Sequence, residues 1–236
     1  MIVSFFVIAV VIALSIPSAI IFLQLSAVTG NPTPLYNVVC FIVRVAFRAA
    51  GIRVRVQGLE NVPDGEACIF MANHVSNLDP PGLIPRIPGR TAAFTKREVF
   101  KLPLFGLALK LGEFIPVDRK GNAATAEASV GAAKRLLAKG IHITTFVEGA
   151  RSKDGRMTPF KKGAFYLAKE SGATCIPVSV FGTETLMAKG SFAISPGTAH
   201  FVFHPPIYPR NYETREDLMQ AVRASIASGL PEWMRT

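Results

Sequence analysis

The chain has 236 residues, which is enough for one domain with a substantial core and a short additional segment. Residues 1–43 contain no Asp, Glu, Lys, Arg or His, so all 26 basic and 16 acidic residues lie in the remaining 193. This distribution excludes a disordered chain. It also excludes a polytopic transporter, because no second stretch after residue 50 is long and apolar enough to span a bilayer.

The uncharged N-terminal segment is a candidate membrane anchor. Between Met1 and Leu23, 19 of 23 residues are apolar, and about 20 helical residues cross the hydrocarbon core of a bilayer. A cleaved signal peptide is disfavoured, because no Lys or Arg precedes the apolar region. Two arrangements stay open. One is a single span over residues 1–25, and the other is a two-helix hairpin in one leaflet, with Asn31 to Pro34 breaking the chain before a second apolar stretch, Leu35–Ala50.

The first basic residues follow this segment, which predicts a cytoplasmic (inner) membrane protein with its globular part on the cytoplasmic side. They are Arg44, Arg48, Arg53 and Arg55. The net charge of +10 has three possible explanations: it keeps the domain soluble, it attracts a nucleic acid, or it attracts anionic lipid and phosphorylated substrates. No zinc-finger or RNP-type spacing occurs, so we expect no nucleic-acid partner. A membrane lipid surface is favoured beside an anchor.

After residue 50, short β-rich runs alternate with helical runs. The strand candidates are Val54–Gln57, Cys68–Ala72, Ala92–Thr95, Phe114–Val117, Ile141–Val147, Thr174–Phe181 and His200–His204. Helices are predicted between Asn122, as an N-cap, and Gly140, and over Gly163–Glu170 and Glu213–Ser228. This alternation predicts an α/β domain with a mixed, mostly parallel sheet flanked by helices.

A histidine and an aspartate follow the apolar strand Cys68–Ala72, in the position where α/β proteins place reactive groups. The imidazole of His74 can accept a proton near neutral pH. A carboxylate from Asp79, five residues on, would fix its tautomer and stabilise the imidazolium. The structural alternative is that Asp79 before Pro80 caps a helix and His74 is an ordinary strand-end residue.

The sequence has no protein nucleophile to accompany this pair, since it lacks a Gly-x-Ser-x-Gly elbow and a P-loop. The pair would therefore activate a hydroxyl of the substrate. No His/Cys/Asp cluster has metal-ligand spacing, so we expect neither a metal nor a cofactor.

Two further strand ends carry arginines that suit a phosphate. Gly149 and Arg151 follow the strand Ile141–Val147, where glycine allows close backbone approach and arginine offers a planar fork of donors. Lys161 precedes a helix, and Arg119 ends another strand. The alternatives are a strand-to-loop turn with a solvated arginine, and a surface pair between Arg119 and its neighbour Asp118. Taken together, these strand ends predict proton abstraction beside a phosphate at a lipid surface.

Four blocks of sequence in this order resemble those of the glycerolipid acyltransferases, and most closely the bacterial 1-acyl-sn-glycerol-3-phosphate acyltransferases. The blocks are Asn73-His74-x4-Asp79, Gly112 to Arg119, Glu148-Gly149-x-Arg151-Ser152 and Ile176-Pro177-Val178. The likeness extends over residues 54–207. Where the family usually has Thr, this chain has Ala150.

The resemblance implies an acyltransferase catalytic domain over residues 51–236 behind a membrane-anchoring helical segment of residues 1–50. It implies transfer of a fatty acyl group from acyl-CoA or acyl-carrier protein, as cosubstrate, to the 2-hydroxyl of lysophosphatidate, giving phosphatidic acid. The implied roles are a general base (His74), its orienting partner (Asp79), and acceptor binding by Arg119, Glu148, Gly149 and Arg151, with Lys96 and Lys161 assisting at the phosphate. The alternatives are another lysolipid acceptor or a membrane-tethered, non-catalytic lipid-binding protein.

Overall fold

Two helices precede the globular part of the chain. In the computed structural model, which describes residues 2–118, 123–187, 190–191 and 193–235, helix α1 covers Ile2–Thr29 and helix α2 covers Thr33–Ala49. The chain reverses between them at Gly30, whose φ of +65° favours glycine, and α1 packs against α2. Within the described residues, α1 is the one helix that is long and apolar enough to cross a membrane.

Helix α1 is also attached to the domain. The Ser4 hydroxyl accepts a hydrogen bond from the Ile194 N–H at 2.9 Å, and Val7 and Leu23 are buried. The opposite side of α1 is exposed and apolar, with Ile12 at 51% and Ile20 at 60% exposure. One face of α1 therefore packs on protein, and the other is an exposed apolar surface.

The seven predicted strands are confirmed. They are β1 (Ile52–Gln57), β2 (Ile69–Ala72), β3 (Thr91–Lys96), β4 (Ile115–Val117), β5 (His142–Phe146), β6 (Cys175–Phe181) and β7 (Gly197–Phe203). The remaining helices are α3 (Asp79–Leu83), α4 (Phe105–Leu111), α5 (Ala123–Ala138), α6 (Gly163–Ser171), α7 (Thr183–Leu186) and α8 (Arg215–Gly229). The predicted N-cap of α5, Asn122, lies outside the described residues.

The strands form one mixed, mostly parallel sheet in the order β1-β7-β6-β2-β5-β3-β4. The five strands β6, β2, β5, β3 and β4 are mutually parallel. Strand β7 pairs antiparallel with β6, and β1 pairs parallel with β7. The sheet is therefore covered by helices on both faces, as parallel pairing requires.

The sheet has a hydrophobic core on each face, and alternate side chains of β2 point into the two cores. Ile69 and Met71 pack in one cluster with the apolar faces of α5, α6 and α8. Phe70 and Ala72 pack in the other, which includes Phe47 of α2 and Leu83 of α3. Each of these four side chains of β2 is fully buried, so this central strand is held from both sides.

Candidate active site

The predicted site residues follow strands that end at the same edge of the sheet. His74 follows β2, Lys96 is the last residue of β3, and Glu148 and Arg151 follow β5. Because these strands are parallel, their carboxyl ends bring the residues to one side of the domain. Arg119 follows β4 but lies outside the described residues, so its role stays a prediction.

The five-residue spacing between His74 and Asp79 brings their side chains into contact. His74 Nδ1 lies 2.8 Å from Asp79 Oδ2, and the Asp79 side chain is fully buried while that of His74 is 12% exposed. The imidazole stacks on Phe146, with ring centroids 4.3 Å apart. With Nδ1–H donating to the carboxylate, Nε2 is the nitrogen that accepts a proton in the neutral ring.

Asp79 does not cap α3, so this part of the structural alternative is wrong. The residue at the N-cap position is Leu78, and the helix start has no side-chain cap hydrogen bond. The Asp79 carboxylate instead contacts the residues that precede it: Oδ2 accepts hydrogen bonds from the N–H groups of Val75 at 2.7 Å and Ser76 at 2.8 Å. Its other oxygen, Oδ1, accepts a hydrogen bond from the hydroxyl of Thr183.

Glu148 is buried behind the histidine. Its Oε1 accepts the backbone N–H of His74 at 2.8 Å, and its Oε2 accepts the N–H of Thr158 at 2.8 Å and the Thr158 hydroxyl. Glu148 is 3% exposed, and burial raises the pKa of its carboxyl although these hydrogen bonds oppose the rise. Both carboxylate oxygens are therefore engaged inside the protein, one with the backbone of His74 and the other with Thr158.

The loop after β5 is fixed against His74. Gly149 has a φ of +70°, which favours glycine, and a side chain on it would meet Lys161 Cγ at 3.0 Å. The Ser152 N–H donates to the His74 carbonyl at 2.8 Å. Arg151 therefore lies on a short turn bounded on one side by Gly149 and on the other by a hydrogen bond to the histidine.

A cavity of about 1060 Å³ reaches some of the predicted site residues, but Glu148 and Arg151 are not in its lining. Its lining includes His74, Lys96, Gly149 and Lys161, and most of the rest is apolar, contributed by α1, α2, α4 and α5. A few polar groups in the wall of a large, mostly apolar cavity are typical of ligand sites, and such a cavity fits a long hydrocarbon chain.

The structure gives three residues contacts that sequence reasoning did not assign. Thr183 lies two residues after the end of β6 and its hydroxyl donates to Asp79, and Thr158, within the loop between β5 and α6, donates to Glu148. Asn73 joins β2 to β6, with its Nδ2 donating to the Val180 carbonyl at 2.8 Å and its Oδ1 accepting the Val180 N–H at 2.7 Å. A hydroxyl residue two positions after a predicted strand was the available signal for Thr183, whereas the contact of Thr158 with Glu148 depends on how the loop after β5 folds.

The fold and the site define an α/β protein with a His–Asp pair at the strand ends beside an apolar cavity. A family model described as "Acyltransferase" matches residues 53–181, which contain this pair and the Glu148–Arg151 loop. The chain belongs to this acyltransferase family.

Relatives carry a more specific name. A chloroplastic 1-acyl-sn-glycerol-3-phosphate acyltransferase of Brassica napus is 36% identical over 159 residues, covering 65% of this chain and 44% of its own length. The mouse 1-acyl-sn-glycerol-3-phosphate acyltransferase alpha is 30% identical over 190 residues, covering 80% of this chain and 67% of its own. The chain spans about half the length of the first such relatives it matches.

A solved structure shares the fold over almost the whole chain. The 1-acyl-sn-glycerophosphate (LPA) acyltransferase PlsC from Thermotoga maritima superposes with a TM-score of 0.86 and covers 98% of this chain and 95% of its own. The two sequences are 24% identical, so the likeness is one of fold.

Proposed function

We propose that the protein transfers a fatty acyl group from an acyl thioester, either acyl-CoA or acyl-carrier protein, to the 2-hydroxyl of 1-acyl-sn-glycerol 3-phosphate. The product is phosphatidic acid. The observation that carries this proposal is the His74–Asp79 pair, held at 2.8 Å, at the lining of a large apolar cavity that also reaches Lys161. The names of the relatives support the choice of acceptor.

In the proposed reaction, His74 is the general base. Its Nε2 removes the proton of the 2-hydroxyl as that oxygen attacks the thioester carbonyl carbon. The carbon–oxygen bond forms, the tetrahedral intermediate collapses, and the carbon–sulfur bond breaks. The leaving thiolate takes the proton from the imidazolium, so the histidine is neutral again. Asp79 holds the tautomer and stabilises the imidazolium while it exists.

The acceptor phosphate would bind beside the loop that follows β5. Arg151 offers the planar fork of donors that suits a phosphate monoester, and Lys161 supplies a second positive charge where it packs on Gly149. Lys96 is a weaker candidate, because its ammonium lies 3.6 Å from the Glu98 carboxylate. Glu148 would act through the backbone of His74, and Arg119 keeps its predicted place at the end of β4.

The acceptor would be taken from a membrane. Helix α1 is apolar along its exposed face and contributes Val11, Ile16 and Leu23 to the cavity lining. A lysolipid could therefore pass its chain from the lipid into the cavity without crossing water. We place the protein at the cytoplasmic membrane with the catalytic part on the cytoplasmic side, because Arg44 and Arg48 follow the apolar segment.

A transfer assay tests the proposal. Purified full-length protein is given labelled acyl-CoA or acyl-carrier protein and a panel of lysophosphatidate, lysophosphatidylcholine and a lyso-aminolipid. We expect labelled phosphatidic acid as the main product. A preference for a lysolipid without an exposed phosphate monoester would contradict the acceptor, and binding of every lysolipid without transfer would favour a non-catalytic lipid-binding protein.

A further inference from the structure

A second apolar surface lies beside α1 at the start of α4. The side chains of Leu102, Leu104, Phe105 and Leu107 are 53%, 58%, 53% and 46% exposed. We call these four residues the α4 corner. Single exposed apolar side chains are ordinary, but four within six residues form a patch that calls for a partner.

The backbone forces this corner outward. Leu104 has φ +57° and ψ −51°, and the Phe105 N–H donates to the Pro103 carbonyl, which closes a tight three-residue turn. This region of φ and ψ is rare and strained for a residue with a side chain. The turn is followed at once by Gly106, where a side chain would collide with the Phe100 carbonyl oxygen. The fold thus holds Leu104 and Phe105 at the surface at a cost in backbone strain.

The position and charge of the corner identify its partner. Helix α4 contacts α1, and Leu104 and Phe105 line the same cavity as Ile16 of α1. Residues 99–112 contain no acid, and exposed lysines, Lys101 and Lys110, flank the patch. An apolar patch with flanking lysines matches the hydrocarbon and anionic headgroups of a lipid leaflet.

We propose that the α4 corner enters the same lipid leaflet as the exposed face of α1 and forms the other side of the cavity mouth. Lipid would then surround the mouth from two sides, so that an acceptor chain leaves the leaflet between α1 and α4. The inference rests on the proposed function only in requiring that the protein work at a lipid surface.

Tryptophan fluorescence tests this contact directly. The chain has one tryptophan, so Trp233→Phe gives a background without any. In that background, Phe105→Trp replaces one exposed aromatic ring by another. Leu59→Trp is the matched control, since Leu59 is 38% exposed just after β1, which lies at the opposite edge of the sheet from β4. Six strand spacings separate these edges, about 29 Å.

Both variants are reconstituted as full chains in phosphatidylcholine–phosphatidylglycerol vesicles with brominated or ordinary acyl chains. We expect brominated lipid to reduce the Phe105→Trp emission at least about twofold, since interfacial side chains lie about 5–10 Å into the headgroup and acyl boundary. The Leu59→Trp emission should hardly change. Equal emission of Phe105→Trp in the two kinds of vesicle overturns the inference, and a blue-shifted but unquenched signal does so by assigning the corner to a protein partner.

The quenching measurement is independent of catalysis. If the vesicle-bound protein quenches as expected but transfers no acyl group, the proposed function fails and the lipid contact stands. If it transfers acyl groups without quenching, the lipid contact of the corner fails and the proposed function stands.

Discussion

The buried carboxylate of Glu148 holds the backbone of His74 in place, with Oε1 accepting the His74 N–H at 2.8 Å. The other oxygen accepts the N–H of Thr158 at the same distance, so one side chain joins the end of β2 to the loop after β5. The Asp79 carboxylate contacts the imidazole of His74, and the Glu148 carboxylate contacts the main chain of the same residue. His74 is therefore held by two carboxylates, one that is five residues and one that is 74 residues further along the chain.

Glu148→Gln tests this positioning role. An amide replaces one acceptor oxygen by a donor, which sets N–H against N–H at His74 or at Thr158 and costs about 1–3 kcal/mol of stability for a buried group. We expect kcat to fall by about 100-fold with little change in the KM for the acceptor, since misplacing a reacting group by about 1 Å has that effect. Steady-state kinetics decide. A raised acceptor KM at unchanged kcat would show direct contact with the acceptor instead.

Thr183→Val tests the support of Asp79. Thr183 and Asp79 are fully buried, and the threonine hydroxyl is a donor to Asp79 Oδ1. Valine keeps the shape but leaves that oxygen without this donor, so we expect a loss of about 1.5–3 kcal/mol of stability, the usual value of a hydrogen bond to a charged group. We also expect a lower kcat at unchanged KM. Thr183→Ser should restore both quantities, and a serine variant as impaired as valine would contradict the hydrogen-bond role.

Arg151→Ala tests the phosphate site. Loss of a charge-assisted contact of about 1.5–3 kcal/mol raises the acceptor KM by roughly 10- to 150-fold. Arg156→Ala is the control, because Arg156 is an exposed arginine in the same loop. If both substitutions raise the acceptor KM equally, Arg151 acts only through its positive charge, which contradicts a specific phosphate site. An increase confined to Arg151→Ala supports such a site.

The stability of the fold should fall in mild acid because of His142. Its Nδ1 accepts the Cys68 N–H at 2.9 Å, and burial lowers the pKa of His142 below its ordinary value of 6.5. The unfolded chain therefore binds the proton first as the pH falls, and stability present above pH 6.5 is lost below it, at up to about 1.4 kcal/mol per pH unit for one proton.

His142→Asn isolates this contribution. Asparagine offers an acceptor oxygen close to the position of Nδ1 but does not titrate, so thermal unfolding between pH 7.5 and 5 should depend less on pH than in the unsubstituted chain. An unchanged pH dependence would assign the acid sensitivity to other groups, such as His204, whose pKa is also lowered by burial.

Most of the fold could be predicted from local pattern. Each strand is a short apolar run bounded by turn residues, and Val178 and Ile143 are fully buried as such runs require. The strand order had no local signal. The antiparallel pairing of β7 with β6 depends on contacts such as Val178 with Phe203, which are set by packing of the whole sheet.

The candidate site, like the fold, could be predicted from sequence only in part. The spacing of His74 and Asp79 allowed either a catalytic pair or a helix cap, because both arrangements use the same neighbouring residues. The helix cap is excluded by the hydrogen bonds of Asp79 to Val75 and Ser76, and the partner of its other oxygen, Thr183, lies 104 residues after Asp79 in the chain. The Glu148 carboxylate could not be assigned to the His74 backbone from sequence, because burial and the Thr158 contact arise only when the loop after β5 folds back.

The most direct test of the central claim compares the unsubstituted chain with His74→Ala in the transfer of labelled acyl groups from acyl-CoA to 1-acyl-sn-glycerol 3-phosphate. If His74 is the base that activates the 2-hydroxyl, phosphatidic acid formation falls by about 10²- to 10⁴-fold. Circular dichroism should show that the fold is retained. Undiminished transfer by a folded His74→Ala variant would contradict the account.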